Sequence, residues 1–426
     1  MNNNPTSTYP VWHPFTQMKK EPFPIEIEKG EGCYLITKNG RRILDAVSSW
    51  WVNIHGHSHP YIASRIAEQA AQLEHVIFAG FTHKPAIDLA TNLLTILPDN
   101  FTKIFFSDDG STSVEVALKM ALQYWFNLGI KHKTKIIAFR DGYHGDTFGA
   151  MSVAGNNSFN MAFREKLFEV EFIPAPEQGQ RELSIREFQR LASNNDIAAF
   201  IFEPLVQGAS GMRTHQTEDL DALIAIAHKH DIICIADEVM TGFGRTGNLF
   251  AIDYLVNKPD LICLSKGITG GFLPLGVTAT SQRIYDAFYD DDKLKTFFHG
   301  HSYTANPIVC AAANASYELL ISNRCRRQIQ MISDSHKEFL PVLNENKYIK
   351  NARAIGTILA FELEDEGKTS YFHSIRDTIY THCLEQNVLL RPLGNVIYTM
   401  PPYCITKEEL IRVYEVMLSC ADLLKK

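Results

Sequence analysis

One lysine in this chain stands where a bound ligand could meet it. The run Leu261 to Leu264 is apolar and ends in Ser265-Lys266-Gly267, with further glycines at 270, 271 and 276. It predicts a short buried strand with an amine at its C-terminal mouth, where open α/β sheets hold ligands. A single long charged side chain is ordinarily solvent-facing. The weight therefore rests on what accompanies Lys266.

Four other apolar runs end in the same way. Strands are expected at 103–107, 135–139, 198–202 and 232–236, besides 261–264. After them come Asp108-Asp109-Gly110-Ser111, then Asp141-Gly142-Tyr143-His144, then Glu203, then Asp237-Glu238, then Lys266. Between about residues 60 and 300 such strands alternate with helical periods, which is the pattern of a mainly parallel sheet. Parallel strands deliver their C-terminal ends to one edge. Five polar strand ends thus predict one shared site.

Two of these ends suggest specific chemistry. Gly110-Ser111 opens a helix with Val114, Ala117, Leu118, Ala121, Leu122 and Trp125 on one face. Free N–H groups at such a start suit a phosphate, though an ordinary capped helix explains the pattern as well. Thr112 and Glu115 have the spacing of a capping box there. Asp237 ends the fully apolar run 232–236, so its carboxylate should be buried and need a cationic or donor partner. A structural ion pair would serve, and so would the protonated ring nitrogen of a cofactor.

The elements that hold this site are legible more coarsely. Lys38-Asn39-Gly40 between two apolar runs predicts a hairpin, followed by the pair Trp50-Trp51, which is either core or the wall of an apolar pocket. Asn306-Pro307 suits a helix start over 306–320. Thr406 with Glu409 predicts a capping box opening the last helix, with Leu410, Val413, Tyr414 and Met417 on its buried face. The expected organisation is α/β: an arm and hairpin (1–59), a large domain (60–305), and a C-terminal part (306–426). The last joins the hairpin in a smaller α+β domain.

Composition narrows the function. The 426 residues are 45% hydrophobic and 21% charged with a net charge of −7, which disfavours nucleic acid or an anionic membrane as partner. No apolar run is long enough for a membrane span. The start, Met1-Asn2-Asn3-Asn4-Pro5, has no secretory pattern. Eight scattered cysteines without a CxxC pair read as reduced residues of a cytoplasmic protein. His55, His57 and His59 alternate, but Gly56 and Pro60 predict a turn and no acidic cluster joins them, so no metal is expected. Gly242-Phe243-Gly244-Arg245-Thr246-Gly247 formally matches GxGxxG, which would suit a nicotinamide oxidoreductase. Asp237 and Glu238 intervene after the strand and no clear helix follows, so the match is weak. Gly367-Lys368-Thr369 lacks the glycine of a P-loop. Asp290-Asp291-Asp292 is a solvated acidic patch.

Asp237 through Gly247, followed one βα unit later by Ser265-Lys266-Gly267, resembles the class III pyridoxal-phosphate aminotransferases over nearly the whole chain. Trp12 to Thr16, Ser48 to Trp51, Asp141 to Thr147 and Arg391 to Gly394 resemble a branch of that class. That branch aminates 8-amino-7-oxononanoate in biotin biosynthesis, using S-adenosylmethionine or lysine as amino donor. The resemblance implies a fold-type-I PLP-dependent transferase working as a cytoplasmic homodimer. By the same resemblance Lys266 bonds the cofactor and moves the proton, Asp237 meets the ring nitrogen, and Gly110, Ser111 and Thr112 lie at the phosphate. Tyr143 and Val239 flank the ring, with His144 and Glu203 beside it. Gly300, His301 and Ser302 reach the partner subunit's site. Phe15, Trp50, Trp51 and Tyr398 line the substrate pocket and Arg391 clamps a carboxylate. Many members carry tyrosine where this chain has Phe15, a loss of about 1 kcal/mol or more if that hydroxyl is buried. The donor is therefore open, with Trp50-Trp51 favouring S-adenosylmethionine. Other class III enzymes acting on 4-aminobutyrate, ornithine or a diamine are the nearest alternatives.

Overall fold

The computed structural model describes residues 9–20, 24–155, 158–177, 179–364, 369 and 373–425. The tail before residue 9 and the Gly367-Lys368 pair lie outside that set. A seven-stranded sheet organises the chain, in the order Phe101–Ser107, Gly276–Ser281, Leu261–Leu264, Ile233–Asp237, Ile197–Phe202, Lys135–Phe139, Glu171–Ile173. Gly276–Ser281 runs antiparallel to both of its neighbours, and every other pairing is parallel. The five expected strands therefore all point the same way.

Their apolar runs are continuous because both faces of the sheet are covered. Successive side chains alternate between faces. Phe139, Phe200, Phe202, Ala236 and Leu264 enter one core cluster, while Ala138, Ile201, Ile235 and Cys263 enter a second. The helix Gly110–Asn127 lies on the second side, placing Val114, Ala117, Leu118, Ala121 and Trp125 in that cluster.

The start of that helix corrects one expectation. The N-cap is Asp109, and its box partner is Thr112, not Thr112 with Glu115. Asp109 accepts from the Thr112 amide at 2.8 Å and Thr112 Oγ1 accepts from the Asp109 amide at 3.0 Å. The helix begins three residues earlier than a T-x-x-E box requires. Glu115 is drawn instead to the start of the next helix, Phe148–Val153, where Oε1 accepts from Gly149 and Ala150 amides at 2.7 and 3.1 Å.

The hairpin pairs Tyr34–Thr37 with Arg42–Asp45 in antiparallel register, Ile36 opposite Arg42. Val388–Leu389 then adds in parallel to Leu44 and Asp45, so a strand from the last fifth of the chain extends the N-terminal sheet. The Pro307–Leu320 helix is capped by Asn306. Lys407–Ser419 is capped by the Thr406–Glu409 box. No helix among the described residues is long and apolar enough to cross a membrane.

Candidate active site

A cavity of about 590 Å³ opens at the C-terminal edge of the sheet. All five strand ends contribute to its wall: Gly110 and Ser111, Tyr143 and His144, Glu203, Asp237, and Lys266. The backbone of Lys266 is held at φ +47°, in the left-handed region, a strain that persists only where surrounding structure imposes it. Burial lowers the Lys266 amine to a pKa of about 8, against the upward pull of Asp237 and Glu203. Its Nζ sits 4.5 Å from the centre of the Trp51 ring.

Asp237 is buried and doubly held. Oδ1 accepts from the Val239 amide at 3.1 Å and Oδ2 meets His144 Nδ1 at 2.7 Å. Burial by itself would lower the His144 pKa, but the hydrogen bond and charge of Asp237, with Glu203 adding, raise it above the usual histidine value. The His144 Nε2 atom is buried with no hydrogen-bond partner among the described residues. Glu203 accepts from the amides of Tyr143 and Gly208 at 3.0 and 2.9 Å. Desolvation still pushes its carboxyl up to about 7. Tyr143 donates its hydroxyl to Asp146 at 3.0 Å.

The tryptophan pair is presented by a tight turn, and Asp45 builds it. This fully buried carboxylate accepts from the amides of Val47 and Ser49, from Ser49 Oγ, and contacts His57 Nε2 at 2.8 Å. The turn passes through positive φ at Ser48, Ser49 and Trp51. Trp51 donates its indole N–H to Tyr398 at 2.9 Å. Trp50 is 39% exposed; Arg391 stacks on it at 4.5 Å and Phe15 packs beside it at 5.4 Å. His55 meets the Ser316 carbonyl at 3.0 Å and lies edge-on to His59 with ring centres 6.3 Å apart, while His57 turns to Asp45.

Thirteen residues singled out from the sequence line this cavity: Phe15, Trp50, Trp51, Gly110, Ser111, Tyr143, His144, Glu203, Asp237, Val239, Lys266, Arg391 and Tyr398. Thr112 does not line it; its hydroxyl turns back to Asp108 and Asp109. Gly300, His301 and Ser302 also stay outside the cavity of their own chain, and Ser302 is exposed. Phe159 carries no signal in the sequence, and Met240, Leu393 and the 271–275 segment, which lie within or beside the motifs named from the sequence, had no site role assigned; all of them line the wall. Phe159 packs edge-on against both Phe15 and Tyr143.

Arg245, in the sequence only part of the glycine match, has a structural place of its own. The Gly242–Gly247 stretch opens no helix, only a turn before the short 3-10 helix Ala251–Tyr254, so it is no dinucleotide site. Arg245 is 1% exposed. Nη1 donates to the Pro401 carbonyl at 2.9 Å and Nη2 to the Trp51 carbonyl at 3.2 Å, and the guanidinium lies 5.1 Å over the Tyr403 ring. It ties the tryptophan turn to the 400–403 segment.

A mostly parallel sheet with a half-buried lysine and a buried aspartate at neighbouring strand ends offers an amine and a carboxylate to one bound ligand. Residues 15–420 match the class-III aminotransferase family model, and the chain belongs to that family. Among its relatives, the adenosylmethionine-8-amino-7-oxononanoate aminotransferase of Synechococcus elongatus is 48% identical over 420 residues, covering 97% of this chain and 98% of the relative. The solved enzyme of that same name from Methanocaldococcus jannaschii superposes with a TM-score of 0.92 at 36% identity, covering 98% of this chain and 97% of the other. An amine transaminase from an uncultivated Pseudomonas species, solved with PLP bound, gives 0.91 at 29% identity, covering 97% and 98%.

Pyridoxal phosphate is the cofactor of this family, and the cavity fits it. Its aldehyde requires an amine, its ring nitrogen a carboxylate, its phosphate free N–H donors, and its ring faces apolar walls. The first helical positions, Gly110 and Ser111, have amides with no intrahelical partner by geometry. A Cβ at Gly110 would lie 2.7 Å from Val239 Cγ1, so glycine there keeps the helix start close against that side chain.

Proposed function

We propose that this chain aminates the ketone of 8-amino-7-oxononanoate to 7,8-diaminononanoate, a step in biotin biosynthesis, with S-adenosylmethionine as amino donor. The observation that carries this reading is the make-up of the cavity wall. Arg391 is its one arginine and Lys266 its one lysine among the described residues, and the rings of Phe15, Trp50, Trp51, Phe159 and Tyr398 stand with them. One guanidinium among rings suits a long-chain keto acid with a carboxylate at its far end. The relatives' names support the same substrate.

PLP, when bound, supplies an electron sink for the carbon that bears the transferred nitrogen. The chain's own residues do the rest. Lys266 holds the cofactor and, with its amine desolvated to a pKa of about 8, takes and returns a proton near neutral pH. Asp237, fixed by His144 and Val239, would meet the ring nitrogen. Gly110 and Ser111 would hold the phosphate, with Tyr143 and Val239 beside the ring. Arg391 binds the substrate carboxylate and Trp50 holds its plane. Gly300, His301 and Ser302 complete the site of a second copy, which fits their position away from their own cavity and makes the enzyme a homodimer. A large domain over 60–305 and a small one made of 1–59 with 306–426, in a cytoplasmic enzyme, complete the proposal.

A donor-resolved assay tests it. Purified holoenzyme given 8-amino-7-oxononanoate should form 7,8-diaminononanoate with S-adenosylmethionine. Product with lysine alone would change the donor, and product with neither would remove the substrate assignment. The alternative, an amine transaminase like the Pseudomonas neighbour, predicts turnover of simple amines instead.

A further inference from the structure

The sulfur atoms of Cys33 and Cys404 lie 3.4 Å apart although 371 positions separate them in the chain. We propose that these two thiols are oxidised reversibly to a disulfide, a modification site on the seam that carries the Trp50-Trp51 turn.

The seam is already stitched on both sides of the pair. The Cys33 carbonyl accepts from the Asp45 amide at 2.7 Å, next to the bridge between Gly32 and His57. On the other side the Tyr403 amide donates to the Ile54 carbonyl at 2.8 Å. Ser48 Oγ donates to the Met400 carbonyl at 2.9 Å. Both backbones are thus fixed, and the thiols are held facing one another. Gly56 keeps the space between them clear. It has φ +85°, and a Cβ there would lie 2.6 Å from Cys404 Sγ. Bringing 3.4 Å to the bonded separation of about 2.0 Å needs side-chain rotation and a small settling of the 404 segment.

Access is one-sided. Cys404 is partly exposed, whereas Cys33 is buried at 3%. A hydrogen bond from Cys33 lowers the Cys404 pKa, with burial opposing it, so Cys404 is the better thiolate of the two. A low-molecular-weight disulfide, RSSR, is a sufficient oxidant. Cys404 Sγ attacks one sulfur, breaks the RS–SR bond and releases the first RSH. Cys33 Sγ then attacks Cys404 Sγ and releases the second. The protein loses two hydrogens and two electrons, and RSSR becomes two RSH.

The molecule contains its own control. Cys383 and Cys420 are 3.5 Å apart but both buried. Spacing alone would oxidise the two pairs alike, and access distinguishes them.

The test uses native holoenzyme incubated with oxidised glutathione, then alkylated, digested and mapped by mass. The expected result is a loss of about 2 Da per chain, a cross-linked peptide joining Cys33 to Cys404, and full reversal by dithiothreitol. The oxidised enzyme should also keep activity longer at elevated temperature, because a tie across so long a loop restricts the unfolded chain. Cys33→Ser should trap glutathione on Cys404 without a cross-link, and Cys404→Ser should take up none. Glutathione remaining on Cys404 of the wild-type protein, no mass change at all, or cross-linking of Cys383 to Cys420 first would each overturn the proposal. The wild-type map decides even if a serine variant fails to fold.

Discussion

His144 Nδ1 and Asp237 Oδ2 are 2.7 Å apart, both side chains buried, and the other nitrogen of the imidazole has no hydrogen-bond partner among the described residues. Asp237 is therefore oriented by a group with no competing attachment. Replacing His144 with leucine removes a charge-assisted hydrogen bond worth about 1.5–3 kcal/mol. The expected outcome is a fall of roughly ten- to a hundredfold in PLP affinity or kcat, with His144→Asn recovering part of it. Cofactor titration of the apoenzyme and steady-state rates check this.

The Lys266 amine predicts a pH dependence of cofactor loading. Below its pKa of about 8 the amine is protonated and cannot attack an aldehyde; above it the amine is free. The rate of apoenzyme recombination with pyridoxal phosphate should rise with pH and level off above that value. A stopped-flow absorbance series across pH 6 to about 9.5 measures it.

Buried titratable groups should make contributions of opposite sign to the pH dependence of apoenzyme stability. Glu203 and Glu238 are raised from 4.5 to about 7 by burial. Between those values these two carboxyls bind more protons folded than unfolded, so their contribution to stability falls as pH rises. His55, His215 and His336, lowered by burial from 6.5 to about 3, 4 and 4, contribute in the opposite direction. Lys266 is lowered from 10.5 to about 8, so between those values the unfolded state binds more and stability rises with pH. Glu203→Gln should reduce the first slope and Lys266→Met the second, read from urea midpoints at each pH.

Arg391 and Phe15 test substrate recognition separately. Arg391→Ala should raise KM for the keto acid about ten- to a hundredfold, the loss of a charged hydrogen-bond pair, and leave donor KM nearly unchanged. Phe15 is 42% exposed, so a hydroxyl added there is partly solvated. Phe15→Tyr should therefore shift donor KM less than about fivefold, below about 1 kcal/mol. Initial rates with each substrate varied in turn check both.

Arg245 is a stability residue by its contacts. Arg245→Met leaves the carbonyls of Trp51 and Pro401 without their donors, at about 1–3 kcal/mol for each buried group left unpaired. The midpoint of urea unfolding should drop, and Trp51 fluorescence should shift with the loosened turn.

What was legible in the sequence follows from local physics. A strand covered on both faces must be apolar throughout, so 135–139 and 261–264 can be read to the residue. Where such strands end, the polar segments that follow mark the edge, and they bring Lys266, Asp237, Glu203 and Tyr143 to one cavity. Gly276–Ser281 escaped because its sequence, GVTATS, is small and polar. It is buried by its neighbours and by close approach to the backbone of Asp109. Thr112 with Glu115 had the right spacing for a box, but Asp109 competed for the same amide and won. Phe159 reaches the wall by tertiary closure, and Arg245 finds its carbonyl partners on segments remote in sequence. Neither leaves a local pattern. Asp45 shows the same limit: its pairing with the Ser49 amide is local, but its contact with His57 required the turn between them.

The amine of Lys266 is proposed to carry the cofactor. Borohydride reduction of PLP-saturated enzyme, followed by digestion and mass mapping, addresses it most directly. A pyridoxyl mass is expected on the peptide containing Lys266 and none on Lys266→Ala. A label on any other lysine, or none in saturated wild-type protein, would contradict it.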